Sequence, residues 1–145
     1  MKLEVKKTKR RRANSTEAAF EKRFATALSK QGRVSYHTAE KFIEGIPDRY
    51  TCGGIWIEFK VVPYSGKRRI NLLRYFSPAQ KLWMTRLENG GDIVYGCVLL
   101  QPENGDPRIV LQSWHTLKNI GPMTPDELTI MSFDESNIDM LAKSL

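Results

Sequence analysis

The amino-acid sequence predicts a single α/β (α+β) domain in which helices flank one central mixed β-sheet. Two observations carry that expectation. At 145 residues and 41% hydrophobic, the chain can bury one compact core and is too short for two. Its apolar patterning then alternates between helical and strand periods in the order helix, strand, strand, strand, helix, strand, strand, which suits one mixed sheet. No apolar run approaches the roughly 20 residues of a membrane-spanning helix, and the basic N-terminus lacks a following apolar region. A soluble, intracellular protein with no membrane partner is expected.

Residues 1–13 show no apolar periodicity and read as a flexible basic arm. "KLEVKKTKRRR" carries seven of the 23 basic residues. The last twenty residues hold Asp126, Glu127, Asp134, Glu135 and Asp139. A net charge of +7 concentrated in an arm favours a polyanionic partner, nucleic acid above all. Asn14 or Ser15 is the expected N-cap of a helix running to about Lys30, where Gly32 stops it. Phe20, Phe24, Ala27 and Leu28 form its buried stripe. "RVSYHTAE" reads as a strand.

"IPDRYT" and "IWIEFKVV" then flank Cys52-Gly53-Gly54 as a hairpin, since both glycines tolerate positive φ. The segment from Pro63 to Tyr75 is a basic loop. "SPAQKLWMTRLENGG" is a second helix, with Ser77 as cap, Pro78 in the first turn, Gln80 closing a capping box, and Trp83 on its apolar side. "DIVYGCVLL" and "RIVLQSW" are strands joined by "QPENGDP". From Leu117 the chain alternates turns and short amphipathic pieces. The expected organisation is thus an arm over 1–13, a core over 14–116 and an extension over 117–145. Cys52 and Cys97 lack a metal-ligand pattern and read as buried or partly buried thiols, and His37 and His115 as structural.

Strand alternation places Ile55, Ile57, Phe59 and Val61 on one face of the hairpin, and Trp56, Glu58, Lys60 and Val62 on the other, taken to be wet. If the hairpin is symmetric about Gly53, Asp48 lies across from Glu58 with Cβ atoms about 5 Å apart. Like charges so placed repel unless a cation sits between them. Two carboxylates, a backbone carbonyl and water suit Mg²⁺, and Lys60 on the same face can orient or deprotonate a bound water. The competing reading is a solvated strand face with ordinary surface ion pairs.

Pro47-Asp48, the hairpin and then Glu58-Phe59-Lys60 resemble the PD-(D/E)XK nuclease superfamily. "GIPD", "EFK" and the helix bearing "SPAQ" occur in the order of the phage-type VRR-NUC and Holliday-junction-resolvase-like members, over about residues 14 to 100. The resemblance implies a restriction-endonuclease-like fold and a Mg²⁺-dependent endodeoxyribonuclease, with Mn²⁺ as substitute. It implies a role in phage recombination, replication or packaging, inside a bacterial host. It assigns Asp48, Glu58 and the Phe59 backbone carbonyl to the metal, Lys60 to catalysis, and Gln80 to the scissile phosphate or a water. A first-helix carboxylate completes the set. Glu21 is preferred, with Glu17 as competitor because it can instead close a capping box from Asn14. Glu40 and, less so, Glu44 are outer alternatives.

Lys67, Arg68, Arg69 and Arg74, together with Lys9, Arg10, Arg11 and Arg12 of the arm, would hold phosphates without reading sequence. Tyr64 and Tyr75 border that loop and can stack on unpaired bases. The expected partner is branched or partly single-stranded DNA, since nothing resembles a base-reading helix or finger. A homodimer would serve a substrate with two symmetry-related strands, with the tail over 117–145 as a candidate interface. The alternative function is a DNA-binding module without catalysis. Intact Asp48, Glu58 and Lys60 favour the enzyme, because clustered acids repel a phosphate backbone.

Overall fold

The computed structural model describes residues 17–38, 43–65 and 67–145. Helix α1 covers 17–30, and Gly32, at φ +73°, turns the chain out of it. Strands β1 (Ser35–His37), β2 (Arg49–Thr51) and β3 (Ile55–Tyr64) follow, then a 3-10 turn at Leu72–Tyr75 and helix α2 (Pro78–Asn89). Strands β4 (Ile93–Pro102) and β5 (Arg108–Ser113) lead to short helices α3 (Trp114–Leu117) and α4 (Pro125–Met131), strand β6 (Phe133–Asp134) and helix α5 (Ile138–Lys143). The six strands lie in one sheet in sequence order. All neighbours are antiparallel except β3 and β4, which are parallel and linked through α2. The sheet is mixed, as expected.

The parallel pair decides where the core sits. Joining β3 to β4 through a helix puts α2 on one sheet face, while α1 takes the other. Phe20, Phe24 and Leu28 of α1 pack on Ile55, Ile57, Phe59, Cys97 and Leu99, with Leu141 and Ala142 of α5 beside them. Phe20, Phe24 and Phe59 meet edge to face, ring centroids 5.6–6.5 Å apart. On the opposite face Met84 of α2 joins Val62, Val94, Val98, Leu100, Phe76, Trp114, Leu117 and Leu128. The expectation of a wet face on β3 is therefore corrected: Val62 is fully buried and Glu58 only 1% exposed. A two-stranded hairpin has an open side; a central strand of a helix-covered sheet has none.

Three further corrections concern single elements. Met84, not Trp83, is the fully buried residue of α2, Trp83 being half-buried. Cys52 is exposed in the hairpin turn, whereas Cys97 is buried as expected. The segment beyond Leu117 adds β6 to the sheet and puts Leu128, Leu141 and Ala142 into the two cores. Most of its apolar side chains thus cover the chain's own sheet, leaving Ile130, Phe133 and Met140 exposed. Ion pairs Arg23–Glu135 and Lys30–Asp139 tie this segment to α1. The Asn14 and Ser15 caps, the basic arm and Glu40 lie outside the described residues.

Candidate active site

The hairpin register is the one the Gly53-Gly54 turn implies. Arg49 pairs with Ile57, Tyr50 with Trp56 and Thr51 with Ile55, which extends by one step to Asp48 beside Glu58. The turn itself needs positive φ at both glycines, +108° and +86°. Beyond that step the ladder stops, and the reason is chemical. Phe59 would pair next with Pro47, which has no N–H to give its carbonyl, while the Pro47 carbonyl accepts from the Thr38 hydroxyl instead. β2 ends there, and among the described residues no strand lies beside residues 58–64 of β3 on that edge.

Alternate residues of a strand offer their backbone groups to the same edge, here Phe59, Val61 and Pro63. The Phe59 amide donates to Asp48 Oδ2 at 2.9 Å. The Val61 amide faces the Glu17 carboxylate and stabilises its charged form. Pro63 has no hydrogen to donate. The Phe59 carbonyl lies on the same edge as its amide, where Pro47, at the next ladder position, has no N–H to give it.

Glu58 projects from the α2 face. Its Oε2 accepts from Gln80 Nε2 at 2.9 Å and lies 3.2 Å from Lys60 Nζ. Its Oε1, buried, has no hydrogen-bond partner among the described residues. Gln80 is held by its backbone in the capping box, where Ser77 Oγ accepts from its amide and its Oε1 accepts from the Ser77 amide. Its amide nitrogen is thereby left to donate to Glu58, so the capping-box reading of Gln80 is realised and its side chain faces the site. Gly45 brings the preceding loop against α2: at φ +91° a Cβ there would sit 2.4 Å from the Ala79 carbonyl carbon. Lys60 lies over the Phe76 ring, 5.6 Å from its centroid. Opposite Glu58 on β4, Gly96 leaves room for the Leu117 side chain, whose Cδ1 would be 2.3 Å from any Cβ.

Electrostatics follow from this packing. Burial pushes the Glu58 carboxyl up to about 8; Asp48 adds to the rise and Lys60 opposes it. Burial likewise raises Asp48 against the pull of the Phe59 amide, and raises Glu17 against the attraction of Lys60. Three carboxyls that feel one another share one lysine.

Glu21 is also buried, but its Oε2 is engaged by two partners, His37 Nδ1 at 2.6 Å and the Arg49 guanidinium through Nε at 3.3 Å. Arg49 further donates to Ser35 Oγ. His37 and Arg49 are the site neighbours that sequence reading missed. His37, on β1, sits opposite Arg49 on β2, and that pairing was the available signal. Glu44 is exposed and apart, and Lys67, Arg68, Arg69 and Arg74 are all exposed. Tyr64 is half-buried against the α2-side core, and Tyr75 is 40% exposed.

The donors fit a hard divalent cation. Among the described residues no three His, Cys, Asp or Glu side chains form a ready-made cage. The set is two carboxylates and a carbonyl, with one carboxylate oxygen unpartnered in a buried position, and a small cation that keeps its waters needs no more. No described helix is long and apolar enough to cross a membrane.

No family model matches the chain, and no curated protein matches it either. Among solved structures the chain resembles Hjc, a Holliday junction resolvase of the archaeal hyperthermophile Archaeoglobus fulgidus, with a TM-score of 0.52 and 16% identity. The match covers 84% of this chain and 98% of that one. The two share a fold: one domain, a mixed sheet, flanking helices.

Proposed function

We propose that the chain is a divalent-metal-dependent endonuclease that hydrolyses phosphodiester bonds in branched DNA. The observation that carries this reading is the buried Oε1 of Glu58 beside Asp48, without a hydrogen-bond partner among the described residues, which a divalent cation would satisfy. Likeness of fold to a resolvase supports the substrate class. The order "GIPD", "EFK", "SPAQ" supports the phage-type VRR-NUC or resolvase-like subgroup and a role in phage DNA metabolism.

Asp48, Glu58 and the Phe59 carbonyl would hold Mg²⁺, or Mn²⁺ in its place, with a first-helix carboxylate as a further acidic group. Bound there, the ion supplies charge neutralisation at the phosphate and an acidified water. The rest is the work of this chain. The Phe59 amide fixes the Asp48 rotamer, and Gln80 fixes that of Glu58. Lys60 Nζ lies 3.2 Å from Glu58 Oε2, where it would offset negative charge and orient a water held by the ion. Phe76, buried beside the lysine, limits the water around it.

For the first-helix position both carboxyls feel the site, Glu17 through Lys60 and Asp48 and Glu21 through Asp48, but Glu21 already answers His37 and Arg49, which leaves Glu17 the freer donor. Exposed Lys67, Arg68, Arg69 and Arg74, with the arm residues, would grip phosphates. A homodimer would let two sites address both strands of a junction, with exposed Ile130, Phe133 and Met140 as contact candidates.

Labelled linear, flap and four-way DNA incubated with Mg²⁺ provides the test. Cleavage of branched substrates, lost in Asp48→Asn and Lys60→Ala proteins that still fold, is the expected result. Binding without cleavage in any metal would leave a DNA-binding module.

A further inference from the structure

The sheet face that carries Asp48 and Glu58 carries a second feature. Tyr36 of β1 pairs with Tyr50 of β2, and Tyr50 pairs with Trp56 of β3, so the three rings form one row across three adjacent strands. Cross-strand partners point to the same face, and that face is the one bearing Asp48 and Glu58, each two residues from a member of the row. Tyr50 and Trp56 therefore lie one step, about 7 Å, from the carboxylate pair, and Tyr36 one strand, about 5 Å, further out. Its inner end is rigid. Trp56 Nε1 donates to Asp92 Oδ2 at 3.0 Å, and Tyr50 meets Trp56 edge to face with centroids 4.8 Å apart. Its outer end is open, with Tyr36 58% exposed on an edge strand.

Core packing gives no account of an aromatic held out at the edge of a sheet on the face that carries Asp48 and Glu58. We propose that Tyr36, backed by Tyr50 and Trp56, is a stacking platform for an unpaired nucleobase next to the scissile phosphate. This rests on the nuclease reading and deepens it: the site would select DNA with an unstacked base at the branch. The physical case is continuity. A strand whose phosphate lies between Asp48 and Glu58 must run its neighbouring base somewhere, and the adjacent row on the same face offers aromatic rings. An aromatic face accepts any of the four bases, which suits a protein without base-reading elements, and a chain of net charge +7 holds the backbone that delivers the base.

Flap and four-way probes test it, with nucleotides near the branch replaced one at a time by an abasic site and binding measured in Ca²⁺ to suppress cleavage. At one position the abasic probe should bind roughly 5- to 150-fold more weakly than its parent, the range expected for one stacked base. Tyr36→Ala should abolish that difference while leaving affinity for fully paired duplex unchanged, and Tyr36→Phe should keep it. A 2-aminopurine at the same position should be quenched by the native protein and by Tyr36→Phe only. No abasic effect in a protein that cleaves branched DNA, or an unaltered one in Tyr36→Ala, overturns the platform alone. Self-association in the absence of DNA that disappears in Tyr36→Ala also overturns it, assigning the face to a second copy. Failure to bind any DNA overturns the platform together with the nuclease reading.

Discussion

Replacing Glu58 by glutamine removes one proton-binding group and almost no volume, which makes it the sharpest probe of the site's electrostatics. The carboxyl is 1% exposed and is pushed by burial up to about 8 in the fold, against 4.5 for a free side chain. The folded state thus holds its proton more tightly than the unfolded state. A group shifted in that direction contributes stability that is fully present below pH 4.5 and is lost as pH rises toward 8. Each pH step in that window costs about 1.4 kcal/mol, so about 3 kcal/mol is lost between pH 4.5 and 7, and about 5 kcal/mol by pH 9. Asp48 and Glu17, also raised, add to the same slope.

Glu58→Gln cannot titrate. Its stability advantage over the native protein should therefore grow by about 3 kcal/mol from acid to neutral pH. Urea denaturation at unit pH intervals from 5 to 9, with chelator present, measures both curves. Millimolar Mg²⁺ should restore the native protein at pH 8 and leave Glu58→Gln far less affected, because an ion bound only to the fold stabilises by mass action. Parallel pH curves for the two proteins would refute the buried carboxyl, and an equal response to Mg²⁺ would refute its role in holding the ion.

Three other outcomes are expected. Glu17→Gln should lower single-turnover cleavage at least tenfold without loss of fold, whereas Glu21→Gln, which takes the shared negative charge away from Arg49 and His37, should cost about 1–3 kcal/mol in denaturation; the reverse pattern would return the first-helix role to Glu21. Gly45→Ala combines a positive φ with a contact of 2.4 Å to the Ala79 backbone, so chemical denaturation should reveal a loss of about 2 kcal/mol or more. Deleting residues 2–12 removes seven basic side chains, so DNA affinity and the slope of its salt dependence should fall while cleavage at saturating protein stays the same, as filter binding across a salt series will report.

How much of this was legible in the sequence depends on the range of the interaction. The hairpin register was legible because a Gly-Gly turn between alternating apolar runs fixes it locally. The Ser77 and Gln80 capping box was legible for the same reason, being a matter of three residues. Burial of Glu58 was not. It depends on β3 and β4 pairing in parallel 38 positions apart, which brings a helix over a face that alternation alone marks as polar. Arg49 and His37 were missed because their partner, Glu21, lies 28 and 16 positions away. Helices α3, α4 and α5 have four to seven residues each, about one to two turns, too short for a 3.6-residue period to register.

The place where β2 gives out has a consequence for solubility. An unpaired stretch of strand is a template on which another chain can add, and aggregation by that route is what proteins most often guard against at a sheet edge. On β3 the guard is the acids themselves. Asp48 occupies the Phe59 amide, Glu17 stands over that of Val61, and Pro63 offers nothing to an incoming strand. The same carboxylates that would draw in a cation keep a second polypeptide out, by charge and by taking the donors it would need. A protein with Asp48 and Glu17 both changed to alanine should therefore become sticky as well as inert, its insolubility growing with concentration and relieved by a charge reintroduced along that edge.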